Sequence, residues 1–155
     1  MTDMATKALQ PPASPLYDED FVLWTEEMAR LLRARRFADV DVEHLAEEVE
    51  DMGKSYKHEV ESRSTVLLVH LLKWKCQLQK RSRSWRSTIA TQRVELGRVF
   101  EQSPSLRARF PERLAELYAD AVELAAIETG LPEAAFPAEC PFSPVQIMDR
   151  SFLPD

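Results

Sequence analysis

Three glycines, Gly53, Gly97 and Gly130, are all that this chain of 155 residues contains, and that scarcity constrains its fold more than any motif does. Tight hairpin turns draw on glycine because their central residues need positive φ. Phosphate-cradling loops of the Walker or dinucleotide type need several glycines close together, so that backbone can approach the phosphate. Neither can be assembled here, and the Gly-x-Ser-x-Gly nucleophile elbow is also absent. Runs of β-branched residues bounded by turn residues are few. What remains is helix. The expectation is an all-α protein, a single bundle of about five helices, at a length that buries roughly 70% of the surface exposed by the unfolded chain.

Along the chain, residues 1–15 ("MTDMATKALQPPASP") carry three prolines and little apolar content, and read as a flexible N-terminal tail. The helical bundle domain is placed at 16–155. "YDEDFVLWTEEMARLLRARRF" sets Phe21, Trp24, Met28, Leu31 and Leu32 on one face, with acids at its start and arginines at its end, as the helix dipole favours. "DVEHLAEEVEDM" follows with the stripe Leu45, Val49 and Met52, capped by Asp39 or Asp41. Gly53 is expected to break or kink the pattern before a central helix at about 55–79. Its segment "TVLLVHLL" is apolar nearly all round and calls for cover on several sides. Trp85, Ile89, Leu96, Val99 and Phe100 stripe the next helix.

Ser103 and Pro104 open a short turn of helix, and Pro111 is expected to start another, which Gly130 and Pro132 end. The final 25 residues contain five prolines together with Phe136, Phe142, Ile147, Met148, Phe152 and Leu153. That apolar content predicts a Pro-rich segment wrapped over the bundle, with "SPVQ" (143–146) as a capping box opening a short helix.

Charge comes in blocks. Residues 18–61 hold fourteen acids and six bases, 62–94 hold eight bases and no acid, and 95–155 hold eleven acids and five bases. The bland reading is that the basic middle lies against its acidic neighbours. The sharper one is a nucleic-acid interface at 73–93: Lys73, Lys80, Arg81, Arg83 and Arg86 surround Trp85, and Arg beside an aromatic ring can grip phosphate and stack on an unpaired base. An overall charge of −6 argues against nucleic acid, which usually meets a strongly basic domain. An acidic partner protein is the third possibility for the same residues.

His44, Glu48 and Asp51 fall at i, i+4 and i+7, a spacing that presents three metal-capable side chains on one flank of a helix. His70, and with it His58, completes the histidine count; His70 sits among Leu67, Leu71 and Trp74, where a carboxylate such as Glu47 or Glu48 could satisfy it. The opposing reading is a hydrogen-bonded histidine and carboxylates that merely solvate a helix. The di-metal bundle signature needs Glu-x-x-His on two helices, and the nearest sequence here is the single "DVEH" with Asp41. No cofactor is implied. Cys76 and Cys140, the two cysteines, have no adjacent base and read as free thiols in a reducing compartment.

Several phrases occur together and in order: "YDEDFVLWTEEMARLLR", "HLAEEVEDMGKSYKHEVESR", "LLVHLLKWKCQ", "RSRSWRSTIATQR", "SPSL" and "ETGLPEAAFPAECPFSPVQIMDRSFLP". In this combination, over about residues 16–155, the chain resembles the bacterial Domain of Unknown Function 29 family. The resemblance implies a small all-helical bacterial protein and brings no activity, substrate or catalytic residue with it. Function therefore rests on the residues. The leading expectation is a cytoplasmic protein-interaction or scaffolding module, working through helix faces with a protein partner or as a homo-oligomer, and not in a membrane. Nucleic-acid binding is the first alternative, and a metal-dependent enzyme at the His/Glu/Asp cluster the second.

Overall fold

The computed structural model describes residues 14–155, and among them every regular element is a helix. Residues 1–13 of the expected tail lie outside the described residues. The chain divides into two compact units, Met1–Lys54 and Ser55–Asp155.

In the first unit, α1 (Leu16–Glu19) leads into α2 (Phe21–Arg33), whose first turn is closed by Asp20 accepting the Leu23 N–H at 3.0 Å. Arg30 and Arg33 in its last turn face the negative end of the helix dipole. Arg35, at φ 56, is the one described non-glycine residue in the left-handed region, and there the chain reverses into a short 3₁₀ turn at Phe37–Asp39. Trp24, Met28, Leu31 and Val40 form a small core, with Leu16, Tyr17 and Leu45 packed on it. Phe21 and Leu32, expected on the buried stripe, remain 47% and 40% exposed, because so small a unit has no second layer to cover them.

The third helix, α3 (Val42–Cys76), is continuous through Gly53, so the break allowed for there does not occur. A central glycine costs a helix about 1 kcal/mol, too little to stop one that has good helix formers on both sides. From Ser55 onward α3 belongs to the second unit, where Leu67, Leu68, Leu71 and Leu72 are fully buried, as the all-round apolar segment demands.

α4 (Arg83–Gln102) begins at Ser82, whose side chain takes the Trp85 N–H at 3.2 Å, and contributes Ile89, Leu96, Val99 and Phe100 to the core. α5 (Pro104–Thr129) starts with Pro at its first position, as read, but does not restart at Pro111, which lies inside it. An interior proline costs a helix about 3 kcal/mol. Here the one buried face of Phe110, Leu117, Tyr118, Ala121 and Ala125 continues across it. Gly130, at φ 72, gives the left-handed stop that the sequence required.

The C-terminal segment lies over the second unit. Phe136, Phe142 and Ile147 are buried, and the Tyr118 hydroxyl donates to the Pro137 carbonyl at 2.6 Å. α6 (Pro144–Met148) opens with the expected capping box: Ser143 Oγ accepts the Gln146 N–H at 3.1 Å, and Gln146 Oε1 accepts the Ser143 N–H at 2.9 Å.

Candidate functional site

The start of α3 is where the first unit concentrates its chemistry. Asp41 caps the helix, accepting the His44 N–H at 3.4 Å and the Ser14 N–H at 3.0 Å, while its Oδ2 lies 2.7 Å from His44 Nδ1. Tyr17 stacks its ring on the imidazole, with centroids 3.8 Å apart and planes 9° off parallel, and donates its hydroxyl to Glu48 at 2.6 Å. The hydrogen bond to Asp41 raises the His44 pKa, outweighing desolvation. Burial pushes Asp41 up, but the bonds from His44 and Ser14 prevail and its pKa is lowered overall. The hydrogen bond to Glu48, then desolvation, pushes Tyr17 up to about 12. Within the cluster the Tyr17–Glu48 bond joins α1 to α3, and the Asp41–His44 bonds close the first turn of α3.

The metal reading required His44, Glu48 and Asp51 to converge. They do not. His44 turns to Asp41, Glu48 takes the Tyr17 hydroxyl, and Asp51 pairs with Lys54 at 2.7 Å in the open. His70, in the second unit, has Nδ1 on the Val66 carbonyl at 2.8 Å, and His58 is exposed. Among the described residues no three of His, Cys, Asp and Glu are placed to hold a metal ion. Cys76 and Cys140 are free and half-buried, and burial raises both thiols, the reverse of what a nucleophile needs.

Beside this cluster the same helix exposes apolar side chains. Val42, Val49 and Met52 are 59%, 60% and 64% exposed. With Leu45, which packs on the core, they follow a 3–4–3 spacing; Glu48 and Glu50 fall on its two flanks, whereas Glu43, Glu47 and Asp51 fall on the far side of the helix. Phe21, Val22, Leu23 and Phe37 are exposed elsewhere on the same unit.

In the second unit the basic stretch is only partly matched by acids. Arg63 pairs with Glu59 at 2.8 Å, and Lys73, buried, pairs with Glu128 at 2.7 Å while lying 4.7 Å from the Trp85 ring centroid. Arg81 and Arg93 go to carbonyls instead. Arg81 donates to the Trp74 carbonyl at 2.8 Å and the Pro154 carbonyl at 3.1 Å, with its guanidinium 5.2 Å from the Trp74 ring. Arg93, 2% exposed, donates to the Ile147, Phe152 and Gln146 carbonyls at 2.7, 2.8 and 3.2 Å. Lys80, Arg83 and Arg86 are exposed, and their side chains make no hydrogen bond or ion pair with described residues. The expected pairing with acidic neighbours therefore holds at Arg63 and Lys73, and fails at Arg81 and Arg93, which go to carbonyls, and at Lys80, Arg83 and Arg86.

With the geometry in place, a protein-family model, Domain of unknown function DUF29, matches residues 16–153. The chain belongs to that family. No curated protein and no solved structure matches it. For this DUF29 chain two structural residues carried little sequence signal. Arg93 lies on the Ile89–Leu96 stripe at i+4, and a base on an apolar stripe was the available hint. Tyr17 gave none, because the carboxylate it bonds lies 31 residues away.

Proposed function

We propose that this protein is a protein-interaction module whose first unit docks a basic amphipathic helix of another protein. The observation that carries the reading is the row Val42, Val49 and Met52, more than half exposed on a helix dense in carboxylates. Scattered apolar residues on a surface are ordinary; a helically spaced row, on a unit that also exposes Phe21, Leu23 and Phe37, is of the kind that marks a binding surface. The flanking acids Glu48 and Glu50 select the partner, since an apolar stripe flanked by Lys or Arg would meet them with complementary charge. A second copy laid on the same row would bring carboxylate against carboxylate. Nucleic acid fits less well. Trp85 and Trp74 already carry Lys73 and Arg81 on their rings, so neither is an open platform for a base.

The test is titration calorimetry with designed helical peptides of matched apolar face, one Lys/Arg-flanked and one Glu-flanked. The basic peptide should bind, more weakly as salt rises, and Val49→Glu with Met52→Glu should abolish binding without lowering Tm, both residues being exposed. Absence of binding, equal binding of the two peptides, or indifference to the paired substitution would each defeat the reading.

A further inference from the structure

A cleft of about 510 Å³ opens on the second unit between α4, the first turns of α5, and α6. Its volume falls in the range of small-molecule sites. Phe100, Phe110 and Met148 give it apolar walls, and three arginines, Arg93, Arg107 and Arg150, line it as well.

Two carboxylates, Glu101 and Asp149, share the lining with them, so the arginines are in excess by one. A guanidinium has five N–H donors. Arg93 commits one from each nitrogen to the carbonyls of Gln146, Ile147 and Phe152, and no carboxylate pairs with it although it is almost wholly buried. Asp149, beside it on the cleft wall, accepts the Ser151 N–H and hydroxyl at 2.8 and 2.7 Å on one oxygen and keeps its negative charge, which acts on Arg93 through space. Arg107 and Arg150 are exposed, and their side chains make no hydrogen bond or ion pair with described residues. A buried cation held by neutral carbonyls is costly unless a counter-charge can reach it. The local backbone departs from rule at the same place: Pro111, also on the cleft wall, removes the N–H that would have met the Arg107 carbonyl. Such departures concentrate where a fold gives up stability for binding.

We propose that this cleft binds a small organic anion, an apolar body bearing one carboxylate or phosphate head. The head would meet the guanidinium forks, whose planar donors match both groups, and the body would lie along Phe100, Phe110 and Met148. Glu101 and Asp149 on the same wall hold the net charge of the lining low, which favours one or two negative charges over a polyanion.

The experiment uses the full chain and ¹⁹F NMR with three probes: 4-fluorophenylacetate, 4-fluorophenyl phosphate and the neutral 2-(4-fluorophenyl)ethanol. At least one anion should show saturable broadening that the neutral alcohol lacks, and the relative response of the two anions tells carboxylate from phosphate. Arg107→Ala with Arg150→Ala should weaken binding about tenfold, as loss of charge-assisted bonds implies; both residues are exposed, so the fold is retained. Gly97→Leu should block the site independently: Gly97 lies on the wall, and a side chain there starts in open space. No saturable anion binding, equal binding of the alcohol, or binding unaffected by Gly97→Leu would overturn the proposal.

Discussion

Asp41 shows how much of the first unit depends on single polar side chains. Only 3% exposed, it accepts from Ser14, from the His44 backbone and from the His44 ring, joining the residue before α1 to the start of α3. The pair it forms with His44 sets a pH dependence. The folded His44 pKa is raised from 6.5, so its contribution is complete below that value and is lost as pH rises through the raised one. The folded Asp41 pKa is lowered from 3.8, so its contribution is present above that value and is lost as pH falls through the lowered one. The two overlap in mildly acidic solution. Melts between pH 5 and 9 should give a Tm that declines past neutrality in the wild type, with a flatter course in His44→Gln. Parallel curves would mean that the ring contributes nothing through its charge. In the sequence Asp41 stood out as one of two possible caps and as the acid of "DVEH", while its bond to Ser14, 27 residues away, left no signal there.

Among the elements, legibility followed how local the deciding interaction is. The α6 capping box and the Gly130 stop each depend on residues within four positions, and both were plain in the sequence. Gly53 and Pro111 are equally local signals, yet each lost. At Pro111 the buried face of α5, from Phe110 to Ala125, outweighs one missing hydrogen bond. At Gly53 the backbone is helical and a Cβ would meet nothing within 4 Å, so the residue adds flexibility without making room for anything. Gly53→Ala should therefore raise unfolding stability by about 0.5–1 kcal/mol, the helix-propensity difference, as an increased denaturant midpoint at unchanged slope. A loss of stability would show that the glycine serves a contact or a bend that a continuous α3 does not need.

Across the whole molecule, the all-α class and the enclosed middle of α3 followed from hydrophobic spacing, while the destination of the central positive charge did not. Block charges pointed to carboxylates, but Arg81 is held by the Trp74 and Pro154 carbonyls and Arg93 by three carbonyls of the C-terminal segment, and a carbonyl has no signature in a sequence because every residue owns one. The segment is thereby fixed at two places, by burial of Phe142 and Ile147 and by the Arg93 fork. Losing that fork leaves three carbonyls without their charged donor, where a single hydrogen bond to a charged group contributes about 1.5–3 kcal/mol. Arg93→Met keeps much of the side-chain bulk and should still destabilise by about 2–4 kcal/mol, since bonds within one cluster do not add. Arg93→Lys should recover only part of this, because an ammonium cannot span the three carbonyls as a planar fork does. Hydrogen exchange locates the effect: amides of residues 142–153 should lose protection before those of α3 between Leu67 and Leu72. Simultaneous loss in both regions would mean that Arg93 supports the whole second unit, and full rescue by lysine would mean that charge alone, and not the geometry of the fork, holds the segment down.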